Sequence, residues 1–559
     1  MRVIQEVQNQ IRAALRAAVA AAVQAGDLSG PAPETIHLEA PKEKAHGDLA
    51  TNLALVMARG ERKPPRAVAE AILRHLNLEG TWAERVEVAG PGFLNFFLKP
   101  GWLHQVLVAV QREGENYGKS DHGQGKRVLL EYISANPTGP VVLVQARAGA
   151  VGSTLARLLN WAGYRCDTEF YVNDAGNQVK ALARAVDLRA RQLAGEPVEF
   201  TGEYPAEYVI DCARELLKQY PDFLQKPEEE RLAFLERWAP EYFRAGQEEV
   251  LRRYGVVFDN WFSERKLRES GAVEALVQRL KEMGEAYEAD GAVWMRTTKY
   301  GDDKDRVLVK SDGEYTYFAA DAAYHLNKYE RGYDLLINIL GQDHHGYQGR
   351  MKAMVQCLGR PPESLELLFT QLVRLVKDGQ EYKMSKRQGN IVELADLLEE
   401  VSVDAARFFF LMRSLDTHMD FDLNLANLAS QENPVYYVQY AHARICSLLR
   451  QAEEAGYQVP DATSVRLEVL QDPAELDLLK KIAELPEEII QAAESREPHR
   501  LARYVMDVAA LFHAFYNRCR VLGAENEELT RARLVLADAT RVVIRNVLGL
   551  MGVSAPERM

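Results

Sequence analysis

The order of apolar and polar positions first predicts an α+β unit over residues 1–115. An apolar helical stripe near the start is followed by a second helix from about Pro65 to Leu76. The alternation Phe93-Leu-Asn-Phe-Phe97 then predicts a strand. Residues 115–126 are rich in glycine and charge, so we interpret them as the linker that closes this unit.

Residues 116–427 alternate between short apolar runs and helical patterns, which is typical of a parallel α/β sheet. The runs that predict strands lie at 128–133, 168–172, 335–340 and 369–376. Between the second and third runs, a helical stretch at 181–283 is dense in Glu, Arg and Lys. We interpret it as an insertion into the sheet domain, over about 181–290, whose charges form a solvated face.

Residues 428–559 are helical in pattern throughout, which predicts an all-α bundle. The final helix directs Val535, Val542 and Val547 inward, while Arg541 and Arg545 share another face. Such an arginine pair is usually solvated. It is also a candidate for contact with RNA phosphates.

The amino-acid composition argues against a membrane-spanning protein, a disulfide framework and a zinc site. The 559 residues are 47% hydrophobic, yet no run approaches the roughly 18 apolar residues of a membrane span. The five cysteines are scattered, which favours a reducing cytoplasm over a disulfide framework or a zinc site. The net charge of −13 argues against indiscriminate binding of nucleic acid but permits a local basic face.

Two separated motifs suggest a site for a triphosphate. The apolar run at 128–133, the turn at 137–140 and a following helix start place backbone N–H groups where a phosphate binds. Lys383 and Lys386 lie three apart on a later loop, where flexible ammonium groups stabilise charge on transferring phosphates. Each motif alone is weak, because turns and lysines are common. Together in one α/β domain they are specific.

With these motifs, the chain resembles the class I aminoacyl-tRNA synthetases, and specifically the arginyl-tRNA synthetases. The stretches that carry the resemblance are HGDLATN, VAGPGFLNF, LEYISANPTGP, FYVNDAGNQ, EYTYFAADAAYH, ILGQDHHGYQGRMKA, YKMSKRQGN, VDAARFFFL and NPVYYVQYAHARICSLLR. The resemblance implies a Rossmann-type catalytic domain, an N-terminal domain that contacts the tRNA elbow, and a helical anticodon-binding domain. It also implies a monomer whose substrates are arginine, its tRNA and ATP with Mg²⁺.

The resemblance also assigns residues to two small-molecule sites. Arginine needs carboxylates in forked geometry for its guanidinium group; these would be Glu131, at a strand end, and Asp321, one helical turn from Tyr317. Tyr317, Asn136 and His344 complete the implied arginine set, and the catalytic lysines would be Lys383 and Lys386. The implied ATP set is Asn136, Pro137, Thr138, Gly139, Pro140, Val142, Val144, Gln145, His345, Met384 and Ser385. Without the resemblance, Glu131 and Asp321 would be ordinary surface charges.

The triplet Asp343-His344-His345 also permits a metal interpretation, because Asp-His-His opens some phosphoesterase metal sites. Such sites need further Asp and His motifs, which this sequence lacks. We therefore expect no protein-bound metal, and favour ligand contact at the carboxyl end of a strand. A metal phosphoesterase remains the less favoured alternative.

Candidates for tRNA contact lie in both outer units. Tyr436, Gln439, Tyr440 and Arg444 form an aromatic and basic cluster where the bundle begins, although about half of such a stripe is usually core. Arg541 and Arg545 join them, and Asn95 and Phe96 are weaker candidates for unpaired bases.

One segment departs from the family pattern. Where class I synthetases carry His-Ile-Gly-His, this chain has Val142, Leu143, Val144 and Gln145. Gln145 can donate a neutral hydrogen bond, whereas Val142 cannot, and Val144 places a branched side chain where glycine would expose backbone to adenine. Loss of one such donor typically costs about 10²–10³ in rate. The alternative function is therefore a synthetase-like protein that binds tRNA or arginine without efficient activation.

Overall fold

The N-terminal unit packs four helices and a three-stranded sheet around a shared apolar core. The structure is a computed structural model that describes residues 2–41, 43–382 and 392–559, with only the backbone of Lys44 and residues 343–345. The elements are α1 (Val3–Gln24), β1 (Leu49–Thr51), α2 (Leu53–Glu61), α3 (Pro65–His75), β2 (Ala83–Ala89), β3 (Phe93–Leu98) and α4 (Gly101–Glu113). The strands pair antiparallel in the order β1-β3-β2. The predicted helix at Pro65 and the strand at Phe93 are confirmed.

The middle of the chain winds around one parallel sheet. Its first elements are β4 (Arg127–Glu131), α5 (Leu143–Trp161), β5 (Arg165–Val172), α6 (Asn177–Leu193), α7 (Glu207–Gln219), α8 (Glu228–Arg253) and β6 (Asn260–Ser263). There follow α9 (Glu264–Glu269), α10 (Ala272–Glu282), β7 (Ala286–Ala289), β8 (Ala292–Met295), β9 (Arg306–Val309), α11 (Tyr317–Glu330), β10 (Leu335–Gly341), α12 (Gln348–Cys357) and β11 (Leu365–Thr370).

The parallel sheet has the strand order β11-β10-β4-β5-β6, which confirms the predicted α/β class. Strand β4 is central, and its last residue Glu131 is in register with Asn338 of β10. Because all five strands run the same way, their carboxyl ends meet at one edge, where doubly wound sheets hold ligands. Helix α11 precedes β10 and brings its own side chains to this edge.

Two of the predicted elements are wrong in their continuity: the helical stretch at 181–283 and the strand at 369–376. The helical stretch at 181–283 is not continuous, because β6 (Asn260–Ser263) returns to the sheet and pairs with β5. The predicted strand at 369–376 is two strands, β11 and β12 (Val373–Lys377). Strand β12 joins β13 (Gln380–Glu381) and β14 (Met419–Asp422) in a separate sheet of order β13-β12-β14, so the predicted strand at 369–376 spans a change of sheet.

The remaining elements carry the chain from that small sheet into a helical bundle. They are β13 (Gln380–Glu381), α13 (Leu394–Glu400), α14 (Val403–Phe410), β14 (Met419–Asp422), α15 (Leu423–Asn427), α16 (Pro434–Glu454), α17 (Pro473–Glu494), α18 (His499–Arg518) and α19 (Glu527–Met551). The predicted all-α C-terminal region is confirmed. No helix among the described residues has the length and apolar character needed to cross a membrane.

Candidate functional site

The backbone is strained where β4 ends. Ile133 and Ser134 have φ values of 69° and 40°, a left-handed conformation that is a rare choice for a β-branched residue. This turn brings the Ser134 hydroxyl back to donate to Glu131 Oε1 at 2.9 Å, while Ser134 Oγ accepts from the Tyr171 N–H at 3.1 Å. Strain of this kind concentrates at functional sites.

Gln247 of α8 holds the NPTGP turn from behind, a contact that the sequence did not reveal. Its Nε2 donates to the carbonyl oxygens of Asn136 at 3.0 Å and Gly139 at 2.8 Å, and the residue is 1% exposed. Pro137 and Thr138 are buried, whereas Asn136 is exposed, with its Oδ1 3.4 Å from Asn173 Nδ2. Of the predicted turn residues, Asn136 therefore directs its side chain outward.

We expect Gln247→Met to raise the KM for ATP by up to about 30-fold, because two hydrogen bonds of about 1 kcal/mol each are lost behind the turn. ATP–pyrophosphate exchange at saturating arginine measures this change. Gln225→Met, at an exposed position of the same insertion, is the control and should leave the KM unchanged. Equal KM values in both variants would remove Gln247 from the ATP site.

The altered signature forms the capped start of α5. Gln145 Oε1 accepts the backbone N–H of Val142 at 2.9 Å, so this side chain caps the helix. The same segment pairs with the chain that follows the two predicted lysines: Leu143 N donates to Val392 O at 3.0 Å and Leu394 N to Val141 O at 2.8 Å. Lys383, Met384, Ser385 and Lys386 lie outside the described residues. This pairing places the start of α5 beside residues 392–394, which follow the two predicted lysines in the sequence.

Tyr317 and Asp321 lie one turn apart at the start of α11, as predicted. Thr316 Oγ1 accepts the Ala319 N–H at 3.2 Å and caps this helix. Tyr317 is 59% exposed, and its hydroxyl lies beside Gly176, where an added Cβ would be 3.1 Å from it. The Asp321 carboxylate is partly exposed and its Oδ1 lies 3.1 Å from His325 Nδ1.

Glu131 is buried and its carboxylate is already paired, which the sequence did not predict. Lys328 of α11, itself 0% exposed, donates to Glu131 Oε2 at 2.5 Å and to Asn338 Oδ1 at 3.2 Å. The ammonium also lies 4.2 Å from the Tyr324 ring centroid. Glu131 is thus not the surface charge that its place at a strand end suggested.

The Tyr171 hydroxyl marks where the acidic side chains converge. Burial raises its pKa far above the usual value, and the charge and hydrogen bond of Glu264, together with the charges of Asp321 and Glu131, raise the pKa further. Neither Tyr171 nor Glu264 was predicted from the sequence. Three acidic side chains thus surround the Tyr171 hydroxyl between β4, β5 and α11, and we call this region the acidic pocket.

His344 and His345 follow β10 in a 3₁₀ turn at Gln342–Tyr347, at the carboxyl edge of the sheet. Their side chains are outside the description, so their predicted contacts with arginine and ATP stay predictions. Among the described residues, no group of three or more His, Cys, Asp or Glu is arranged to hold a metal ion.

The structure separates the tRNA candidates into exposed and buried sets. Tyr436 and Tyr440 are partly exposed and stack with centroids 6.2 Å apart, and Arg444 lies 4.1 Å over the Tyr516 ring. Arg545 is exposed, whereas Arg541 is partly buried beside Asp538 at 2.7 Å.

Three tRNA candidates are corrected because they are buried. Gln439 is 9% exposed and its amide donates to Asp404 at 2.8 Å and to the Ser554 carbonyl at 3.0 Å. Asn95 and Phe96 are 5% and 0% exposed in β3, the middle strand of the three-stranded sheet. Their burial leaves these side chains little surface with which to contact an RNA.

Comparison with known proteins gives three family matches along the chain. Residues 5–98 match the family model described as arginyl tRNA synthetase N terminal domain, residues 105–412 match tRNA synthetases class I (R), catalytic domain, and residues 438–559 match the DALR anticodon binding domain. The catalytic match alone covers more than half of the chain.

Full-length relatives agree with these matches. An arginine–tRNA ligase of Symbiobacterium thermophilum is 70% identical over 560 residues, covering 100% of both chains. One from Heliobacterium modesticaldum is 49% identical, again over 100% of both. The solved Thermus thermophilus arginyl-tRNA synthetase superposes with a TM-score of 0.74 at 24% identity, covering 98% of this chain and 100% of that one, which shows the shared fold.

Proposed function

Because this chain belongs to the arginyl-tRNA synthetases of class I, we propose that the acidic pocket between β4, β5 and α11 is where it holds arginine. The observation that carries the proposal is the partly exposed carboxylate of Asp321, one turn from Tyr317 on α11, beside the acidic side chains around Tyr171. A guanidinium group is planar and permanently charged, so it favours carboxylates in a partly desolvated pocket. Tyr317, one turn before Asp321, lies at the exposed mouth of this pocket.

The family reaction has two steps. ATP and arginine form arginyl-adenylate with release of pyrophosphate, and the arginyl group then passes to the 3′ end of the tRNA. The arginine carboxylate is itself the nucleophile, so the protein contributes alignment and charge stabilisation. In our proposal Asn136 binds the arginine, while residues 137–140, the start of α5 and the lysines Lys383 and Lys386 contact ATP. Mg²⁺ would enter with ATP and neutralise its phosphates.

The altered signature does not by itself favour an impaired protein. Relatives that match the whole chain are arginine–tRNA ligases, so the comparisons give no support to the impaired alternative or to a metal phosphoesterase. Gln145 also has a structural role, because its side chain accepts the Val142 N–H and caps the start of α5. We therefore propose that this helix start is a working variant of the signature.

Gln145→His tests that proposal. We expect the rate of adenylate formation to stay the same or fall, with about 1 kcal/mol less stability, because histidine does not reproduce the cap on Val142. Rapid-quench measurement of adenylate formation and a urea titration give both quantities. A strong rise in the rate would show that the unusual residue is damage.

Aminoacylation with purified protein, labelled arginine, ATP and total tRNA tests the function as a whole. We expect ATP-dependent charging with arginine and none with the isosteric, uncharged citrulline. No charging above background, with tRNA binding intact, would restore the impaired alternative. We further propose that the enzyme acts in the cytoplasm, which its five buried and unpaired cysteines support, and that it acts as a monomer, as the family resemblance implies.

A further inference from the structure

A buried series of polar groups joins the two predicted arginine carboxylates from beneath. From Asp321 Oδ1 it runs to His325 Nδ1 at 3.1 Å, and from His325 Nε2 to Asn338 Nδ2 at 3.0 Å. It continues from Asn338 Oδ1 to Lys328 Nζ at 3.2 Å, and from Lys328 Nζ to Glu131 Oε2 at 2.5 Å. The three intermediate residues are 1%, 3% and 0% exposed in the same order, so bulk solvent does not reach these bonds.

The donor and acceptor inventory gives this series one direction. An ammonium group only donates, so Asn338 must turn its oxygen to Lys328 and its NH₂ group to His325. His325 Nε2 must then accept, which leaves the ring neutral with its proton on Nδ1. That proton faces both the Asp321 carboxylate and the Asp321 backbone oxygen, the latter at 2.8 Å.

The ion pairs around Tyr171 show which of the three carboxylates keeps an unbalanced negative charge. Glu131 is paired with Lys328 at 2.5 Å, and Glu264 with Arg268 at 2.7 Å. Among the described side chains, Asp321 has only the neutral imidazole of His325 as an ion-pair or hydrogen-bond partner. Of the three converging carboxylates, Asp321 is therefore the one whose negative charge is not balanced by a neighbouring cation.

We propose that Lys328, Asn338 and His325 are positioning residues that keep His325 neutral and so reserve Asp321 as the ligand of the substrate guanidinium. Glu131, held by Lys328, shapes the pocket instead of supplying its recognition charge. This inference rests on the proposed arginine site and assigns different tasks to its two predicted carboxylates. Selectivity for a guanidinium over a neutral urea group then depends on residues that do not touch the substrate.

Asn338→Asp is the most selective change. The new carboxylate still accepts from Lys328, but it cannot donate to His325 Nε2, so the imidazole takes up a second proton and balances Asp321. We expect the KM for arginine to rise about 30–100-fold, as for loss of a charged partner in a buried pair, with the KM for ATP changed less than about 3-fold. The variant should also distinguish arginine from citrulline less well, so citrulline should compete with arginine more effectively in the variant than in the wild type.

The control is Asn77→Asp, which adds the same charge at an exposed position far from His325 and Lys328 and keeps the bond that Asn77 accepts from Glu79 N. It should leave both KM values within about 3-fold of wild type. If Asn338→Asp behaves like this control, the proposal is wrong while the arginine site stands. If the wild-type protein itself fails to charge arginine, the proposed function is at fault.

Nitrogen-15 spectra of histidine-labelled wild-type protein test the ordering directly and need no folded variant at position 338. His325→Gln identifies the signal by its disappearance. We expect one neutral ring with a protonated Nδ1 and an unprotonated Nε2 at pH 7. A proton on Nε2, or on both nitrogens, would overturn the proposal.

Discussion

Asp321→Asn should raise the KM for arginine at least about 100-fold and leave the KM for ATP nearly unchanged. The amide keeps the shape of the side chain and can still accept from His325, but it removes the unbalanced charge that faces the substrate. Truncating one member of a desolvated charge pair costs about 2–5 kcal/mol, and each 1.4 kcal/mol is tenfold in affinity. Arginine-dependent ATP–pyrophosphate exchange with tRNA present measures both constants.

Asp312→Asn is the matched control for this change. Asp312 is exposed in the turn before α11 and accepts from Glu314 N at 3.0 Å, so it tests the loss of a nearby charge outside the pocket. Its KM for arginine should stay within about 2-fold of wild type. If Asp321→Asn charges arginine as well as this control does, Asp321 is not the guanidinium ligand.

Arg407→Met should lower the free energy of unfolding by about 3 kcal/mol. Arg407 of α14 is 0% exposed and donates to the carbonyls of Met551 at 2.9 Å and Tyr254 at 3.3 Å, and to Ser153 Oγ at 2.8 Å. These bonds cap the carboxyl end of α19 and tie it to α5, so their loss leaves buried acceptors unpaired. Burial lowers the pKa of Arg407. Its hydrogen-bond partners are uncharged oxygens, which stabilise the buried guanidinium group by accepting its N–H groups.

Urea unfolding followed by circular dichroism measures this loss, and hydrogen exchange should show faster opening at the end of α19. Arg413→Met removes an exposed arginine of the same segment and should change stability by less than about 0.5 kcal/mol. Equal stability of the two variants would mean that α19 is held to α5 by apolar packing alone.

The sequence could predict the sheet and the positions of the site because both follow from short-range signals. The strand ending at Glu131 and the spacing of Tyr317 and Asp321 are local patterns, and β4 and α11 lie where these patterns indicated. The residues that organise the site are different. Lys328 is separated from Glu131 by 197 positions, and a lysine in a helix ordinarily predicts a solvated face.

Sequence patterns also did not predict which polar side chains are buried. Gln247 lies in a highly charged insertion, and nothing in that pattern distinguishes it from its exposed neighbours. The alternation around Asn95 and Phe96 correctly predicts a strand, but it does not show that the strand is central in its sheet and that these two side chains are buried. Which polar side chains face inward depends on contacts between distant segments, and those appear only in the folded chain.

A crystal structure of the enzyme with arginine and tRNA tests the central claim most directly. We expect the guanidinium nitrogens within hydrogen-bond distance of Asp321, with the Lys328–Glu131 pair intact beneath them and His325 still bonded to Asn338. A guanidinium group bound to Glu131 with Lys328 displaced, or bound away from Asp321 altogether, would contradict the account.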